Sequence, residues 1–235
     1  MAESQILSQF WKRKKRNISF PDWPVKAWLF FKSQVVEDVE IVKLIKLSNI
    51  NSRIQFRKLI TPVISRGGPR GTRGKVYSKT KRSELISICW WYFQQLFAEQ
   101  LPYEVGTSEL GGVGIFWKKT GKLVCADNGT VESLTQLVGF IIYIVEEDFE
   151  ILLSHNYPSL YRNNYILIGP LSLVNHHCQS SLGFTTETRR HQIAEFADIC
   201  MVQLRVLEVD TAVESVEGAE ILVKYSNEKP VWCTC

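Results

Sequence analysis

The sequence predicts a mainly β domain built from several short sheets, preceded by a partly helical, basic N-terminal region. Three observations carry this. Residues 1–82 hold 19 Lys and Arg against 5 Asp and Glu, while residues 83–235 hold 9 against 19, so a net charge of only +4 conceals two oppositely charged halves. Apolar residues recur at helical spacing over about residues 83–99. Beyond about residue 101, short apolar runs alternate with Gly, Asn, Asp and Ser, which is the texture of many short strands.

Residues 1–20 form a basic tail containing Lys12-Arg13-Lys14-Lys15-Arg16. Such a run serves as a nuclear-import signal, a phosphate-binding arm or a solvated tail. Residues 21–104 make an N-terminal region that is apolar enough to pack, as in Trp28 to Phe31 and Leu59 to Ile64. Within it, residues 65–82 read as a loop, because Gly67, Gly68, Pro69, Gly71 and Gly74 oppose regular structure. Its arginines and lysines suit either nucleic-acid contact, through residues 12–16 and 66–82 together, or a simple linker. A helix is expected over about 83–99, where Leu85, Ile88, Trp91, Phe93, Leu96 and Phe97 offer an apolar face.

Strands are expected at Gly114 to Lys118, Leu123 to Ala126, Tyr165 to Ile168, Cys200 to Val209 and Ala219 to Tyr225, with a helical stretch around Glu146 to His155. The longest apolar run, Leu137 to Val145, is too short to span a bilayer and ends in Glu146, Glu147 and Asp148. No apolar stretch precedes the first basic cluster, so an intracellular chain without membrane contact is the expectation, nuclear where the basic run acts as an import signal and otherwise also cytoplasmic. Six cysteines then read as thiols or metal ligands rather than disulfides, with Cys89 and Cys125 among apolar neighbours.

Four short pieces of the second half carry distinctive chemistry. Gly111-Gly112-Val113-Gly114 lets the chain turn and lets a ligand approach its backbone, but lacks the spacing of a dinucleotide-binding fingerprint. Gly169-Pro170 leads through an apolar run into Asn175-His176-His177-Cys178, four hydrogen-bonding or metal-binding side chains in succession. Gly218-Ala219-Glu220-Ile221 opens a strand that delivers Tyr225. Trp232-Cys233-Thr234-Cys235 adds two thiols that can share one zinc ion but make only half of a tetrahedral site.

In this order the pieces resemble the SET domain of protein-lysine methyltransferases, whose members carry Gly-x-Gly, then Asn-His-x-Cys, then a Gly-Glu-Glu-[Ile/Leu] strand ending in Tyr, and often a closing Cys-x-Cys. Here these are Gly112-Val113-Gly114, Asn175-His176-His177-Cys178, Ala219-Glu220-Ile221 through Tyr225, and Cys233-Thr234-Cys235. The Gly169-Pro170 lead-in is most similar to the subgroup directed at a lysine of the histone H4 tail. The resemblance covers about residues 105–235, divided into a SET-like domain at 105–227 and a truncated closing segment at 228–235.

The resemblance implies short β-sheets with one segment threaded through a loop, an exception to the usual rule on connections. It implies S-adenosylmethionine as cofactor, held by Gly112, Val113, Gly114, Asn175 and His176, with Trp232 as a wall of the adenine pocket. Tyr225 becomes the catalytic residue, and a protein bearing a basic, lysine-containing tail, such as a histone, becomes the partner. Cys178, Cys233 and Cys235 become three zinc ligands, with His177, Cys200 or water left for the fourth position and free thiols as the alternative. The chain also departs from the family. Gln179-Ser180-Ser181 replaces the usual Pro-Asn, and Gln136-Leu137-Val138-Gly139 lacks the tyrosine of Glu-Tyr-x-Gly. Ala219 replaces the first Glu of its strand, and no cysteine follows Cys235. Two alternatives therefore stand beside an active enzyme: a SET-fold interaction module without catalysis, and a nucleic-acid-binding protein led by the basic region.

Overall fold

The computed structural model describes residues 22–67, 79–144, 161–162, 165–186, 191–194, 197–207 and 213–225. The basic run 12–16, most of the basic loop, the helical stretch expected at Glu146 to His155, and Trp232, Cys233 and Cys235 lie outside these residues.

Among the described residues four helices come first: α1 (Asp22–Phe31), α2 (Val39–Ser48), α3 (Arg53–Gly67) and α4 (Lys79–Phe97). A π-helical turn, Lys32–Val36, extends α1 and buries Val35 and Val36. Local signals set the next two starts. Asp38 caps α2 by accepting from the backbone N–H groups of Glu40 and Ile41, each at 3.0 Å. Ser52 and Gln55 form a capping box on α3, with Ser52 Oγ accepting from Gln55 N and Gln55 Oε1 accepting from Ser52 N.

On α4 the deeply buried row is Leu85, Cys89, Tyr92 and Leu96. This corrects the expected face, since Trp91 and Phe97 are only half-buried while Tyr92 is wholly buried. Tyr92 meets Trp28 edge-on at 4.9 Å and Phe31 at 5.6 Å, and Phe56 of α3 meets Phe93 at 5.0 Å. Each such aromatic pair adds about 0.5–1.5 kcal/mol beyond area burial. Burial pushes the Cys89 thiol well above its ordinary range, as befits an inert core cysteine.

The loop expected at 65–82 is also shorter at both ends. Residues 65–67 finish α3 and Lys79 to Arg82 begin α4. Lysine and arginine are good helix formers, and an apolar-periodicity argument does not register them.

Twelve strands follow among the described residues. Tyr103–Thr107 (β1) and Val113–Trp117 (β2) form a hairpin paired Tyr103 to Trp117 and Thr107 to Val113. The largest sheet contains β4 (Gly139–Ile144), β5 (Tyr161–Arg162), β6 (Tyr165–Ile168), β8 (Leu182–Thr186), β9 (His191–Ala194) and β10 (Ala197–Val206). Its order is β5-β6-β4-β10-β8, every pair is antiparallel, and β9 pairs with β10. Two smaller pairs complete the set: β3 (Gly121–Lys122) with β11 (Glu214–Ser215), antiparallel, and β7 (Asn175–His176) with β12 (Leu222–Val223), parallel. Mainly small antiparallel sheets with helices are thus what the described residues form, an arrangement compatible with the expected fold class.

The strand at Tyr165 to Ile168 agrees with expectation. Leu123 to Ala126 is not a strand. Asn128 and Gly129 turn the chain so tightly that Ala126 N reaches Thr130 O, and only Cys125 and Val131 bridge. Ala219 to Tyr225 shrinks to two strand residues, because its backbone changes partner along its length. Ile221 N donates to Ile115 O, Leu222 and Val223 pair with β7, and Lys224 N donates to Leu182 O.

Helices and sheets share one core. Trp91 packs on Phe140 of β4 at 5.7 Å, and Tyr103 of β1 donates through its hydroxyl to the Gln95 carbonyl of α4 at 2.8 Å.

Candidate functional site

The site begins with a glycine and a carboxylate. Gly112 sits at φ +74°, which a side chain rarely adopts, and it turns the chain between β1 and β2. The turn is locked by Ser108 N donating to Gly112 O at 3.1 Å and by Leu110 N donating to Ser108 Oγ at 3.0 Å. Two residues on, a Cβ at Gly114 would fall on the carboxylate of Glu220, so only glycine leaves that group room. Glu220 lies opposite Phe116 in an isolated bridge just before β12.

Glu220 is held from both sides. Ser108 Oγ donates to Oε2 at 2.8 Å, and Asn175 Nδ2 donates to Oε1 at 2.6 Å. These are charge-assisted bonds, roughly twice as strong as neutral ones. Neither Ser108 nor Glu220 is among the residues singled out from the sequence as site residues.

Successive side chains of a strand point to opposite faces. On β7, Asn175 reaches Glu220 and His176 reaches the other way. His176 Nδ1 accepts from the backbone N–H of Tyr225 at 3.1 Å, which leaves the ring proton on Nε2, and Nε2 lies 3.2 Å from Cys178 Sγ. The ring is buried. Desolvation is the main reason its pKa is lowered; neighbouring His177 adds to this, and a hydrogen bond with the Val223 backbone opposes it.

Tyr225 stands at the end of this chain of contacts. Its ring stacks on Phe184 at 5.5 Å and tilts against His176 at 5.1 Å. Its hydroxyl donates to the Val174 carbonyl at 2.5 Å. The glycine turn, Asn175, His176 and Tyr225 are therefore brought together through the parallel β7–β12 pair, with Val113 half-buried beside the turn. Among the described residues no group of three or more His, Cys, Asp or Glu is placed to hold a metal. Cys178 contacts His176, Cys200 is buried in β10, and Cys233 and Cys235 lie outside the described residues.

No protein-family model and no curated protein matches the chain. Among solved structures, a Plasmodium falciparum protein described as a candidate histone methyltransferase matches at 22% identity and a TM-score of 0.32, covering 55% of this chain and 96% of that one. A likeness at that level carries no argument about the chemistry of this chain.

Proposed function

We propose that this chain is a SET-type protein-lysine methyltransferase that uses S-adenosylmethionine, with a histone tail as its substrate. The observation that carries the reading is that β7 joins two hydrogen-bonded sets: Ser108 and Asn175 on Glu220 beside the Gly112–Gly114 turn, and His176 with Tyr225 on the opposite face of the strand. Its chemistry fits an amino-acid head group. Glu220 offers a carboxylate to an ammonium, Asn175 an amide that both donates and accepts, and nothing lies within 4 Å of where a Gly112 Cβ would stand. Gly112, Val113, Gly114, Asn175 and His176 would hold the cofactor.

S-adenosylmethionine supplies a methyl group activated by its sulfonium charge. The protein's task is to deliver a neutral amine in line with it. A free lysine, with a pKa of roughly 10.4, is mostly charged at neutral pH, and burial in an apolar channel favours the neutral form. Tyr225 donates its hydroxyl proton to Val174, which fixes the direction of the phenol oxygen that would orient an amine N–H. The acidic excess of residues 83–235 suits a basic tail.

A second reading keeps the fold without the reaction. Both Glu220 oxygens and the Tyr225 hydroxyl already have partners within the chain, as expected of a module that only binds another protein. Calorimetric titration with S-adenosylmethionine, paired with transfer of labelled methyl groups to histones, tests both. Binding with transfer supports the enzyme, binding without transfer favours the module, and absence of binding overturns the first reading.

A further inference from the structure

Between Glu40 and Glu84 the chain has 12 Lys and Arg and not one Asp or Glu. That stretch is not merely a loop, because it contains most of α2, all of α3 and the start of α4. A folded surface with this bias repels itself unless counter-charge arrives from elsewhere in the chain or from a partner.

Some of the charge is met internally. Lys43 pairs with Glu40 at 3.0 Å and Lys46 with Glu104 at 2.8 Å, whereas Arg53 donates to a neutral acceptor, Ser87 Oγ, at 2.5 Å and keeps its charge. Arg57 and Lys58 are different. Both are exposed on α3, and neither has an ion pair among the described residues.

We infer that the solvent face of α3, centred on Arg57 and Lys58, is a docking surface for the phosphate backbone of duplex nucleic acid. Helical side chains three and four positions apart are neighbours, so Arg53 adjoins Arg57, and exposed Thr61 lies next to both Arg57 and Lys58, which sets the three basic residues on one exposed face. An anionic membrane is the competing polyanion, and the helix argues against it. A membrane-surface helix commits its apolar face to lipid, whereas α3 has already buried Phe56, Ile60 and Ile64 in the protein core. What it presents outward is Arg53, Gln55, Arg57, Lys58, Thr61 and Ser65, with Ile54 and Pro62 as exposed apolar exceptions. These are phosphate-contacting side-chain types. The inference does not depend on methyl transfer.

The test is fluorescence anisotropy of a short labelled duplex DNA with the full chain, across about 50–200 mM salt, where phosphate neutralisation dominates the slope. The double variant Arg57→Gln/Lys58→Gln should weaken binding on the order of tenfold and lower the salt slope by about 1.8, because each phosphate neutralised contributes about 0.9. A control variant, Lys119→Gln/Lys122→Gln, removes two exposed charges outside the patch and should leave the slope near the parent's. Matching far-ultraviolet circular dichroism keeps unfolding out of the comparison. An unchanged slope in the α3 variant overturns the assignment, as does an equal loss in the control. Preference of the parent chain for phosphatidylserine vesicles over duplex DNA overturns it as well.

Discussion

Asn175 and Glu220 are joined by a 2.6 Å hydrogen bond across 45 residues of chain, and the same carboxylate is gripped by Ser108 from the β1–β2 turn. Three segments distant in sequence thus meet at one half-buried carboxylate. Removing its charge without changing its shape isolates its worth. Glu220→Gln leaves one side-chain oxygen for two donors and sets an NH2 against one of them. We expect a loss of about 1–3 kcal/mol, read as a lower urea midpoint at constant m-value, together with weaker S-adenosylmethionine binding. A variant as stable as the parent would show that the carboxylate is not a structural clamp.

The absence of a side chain at Gly114 is the counterpart of that carboxylate. Gly114→Ala should destabilise the chain by about 1–3 kcal/mol, because its Cβ must displace Glu220. In a Glu220→Ala background the penalty should shrink. A double-mutant cycle measures the coupling, and strictly additive effects would contradict it.

Tyr225→Phe removes one hydroxyl and leaves the ring on Phe184 and His176. Methyl transfer should fall on the order of a hundredfold while cofactor affinity stays near the parent's, since the hydroxyl is assigned to orienting the amine. The Val174 carbonyl loses its donor at a cost of about 1 kcal/mol. Undiminished transfer would remove Tyr225 from the catalytic role.

His176 makes stability depend on pH in a defined direction. Its folded pKa is lowered, chiefly by burial, so the unfolded chain takes up a proton first as pH falls. The contribution is complete above the unfolded value of roughly 6.5 and is lost as pH drops through the lower folded value. Thermal midpoints from pH 8 to 5, compared between the parent and His176→Gln, should converge toward the acid side (about pH 5, below the unfolded value). Parallel curves would mean that His176 does not titrate differently on folding.

Several residues of the candidate site are conspicuous in residue order alone. Asn175, His176 and Tyr225 stand out because their side chains are chemically conspicuous and follow turn signals at Gly169-Pro170 and Gly218. Ser108 does not stand out, although a serine two residues before Leu110 and just ahead of Gly111-Gly112 is a local signal for a hydroxyl-capped turn. Glu220 is visible as part of a strand, but its partners lie 45 and 112 residues away. The three helices before α4 are not legible in the sequence as separate elements. Their short amphipathic stretches carry caps at Asp38 and Ser52 that only a search for capping patterns would detect.

Composition and local pattern by themselves determined the basic half, the acidic half, the long helix before residue 99 and the change to short strands after it, because charge, periodicity and turn chemistry act over a few residues. Pairing was decided only in three dimensions. That β7 runs parallel to β12, that Tyr92 rather than Trp91 fills the helical core, and that Gly114 must be bare for Glu220 all depend on contacts between segments far apart in the chain. Such contacts are selected by shape and burial after the chain has closed, and no spacing along the sequence records them.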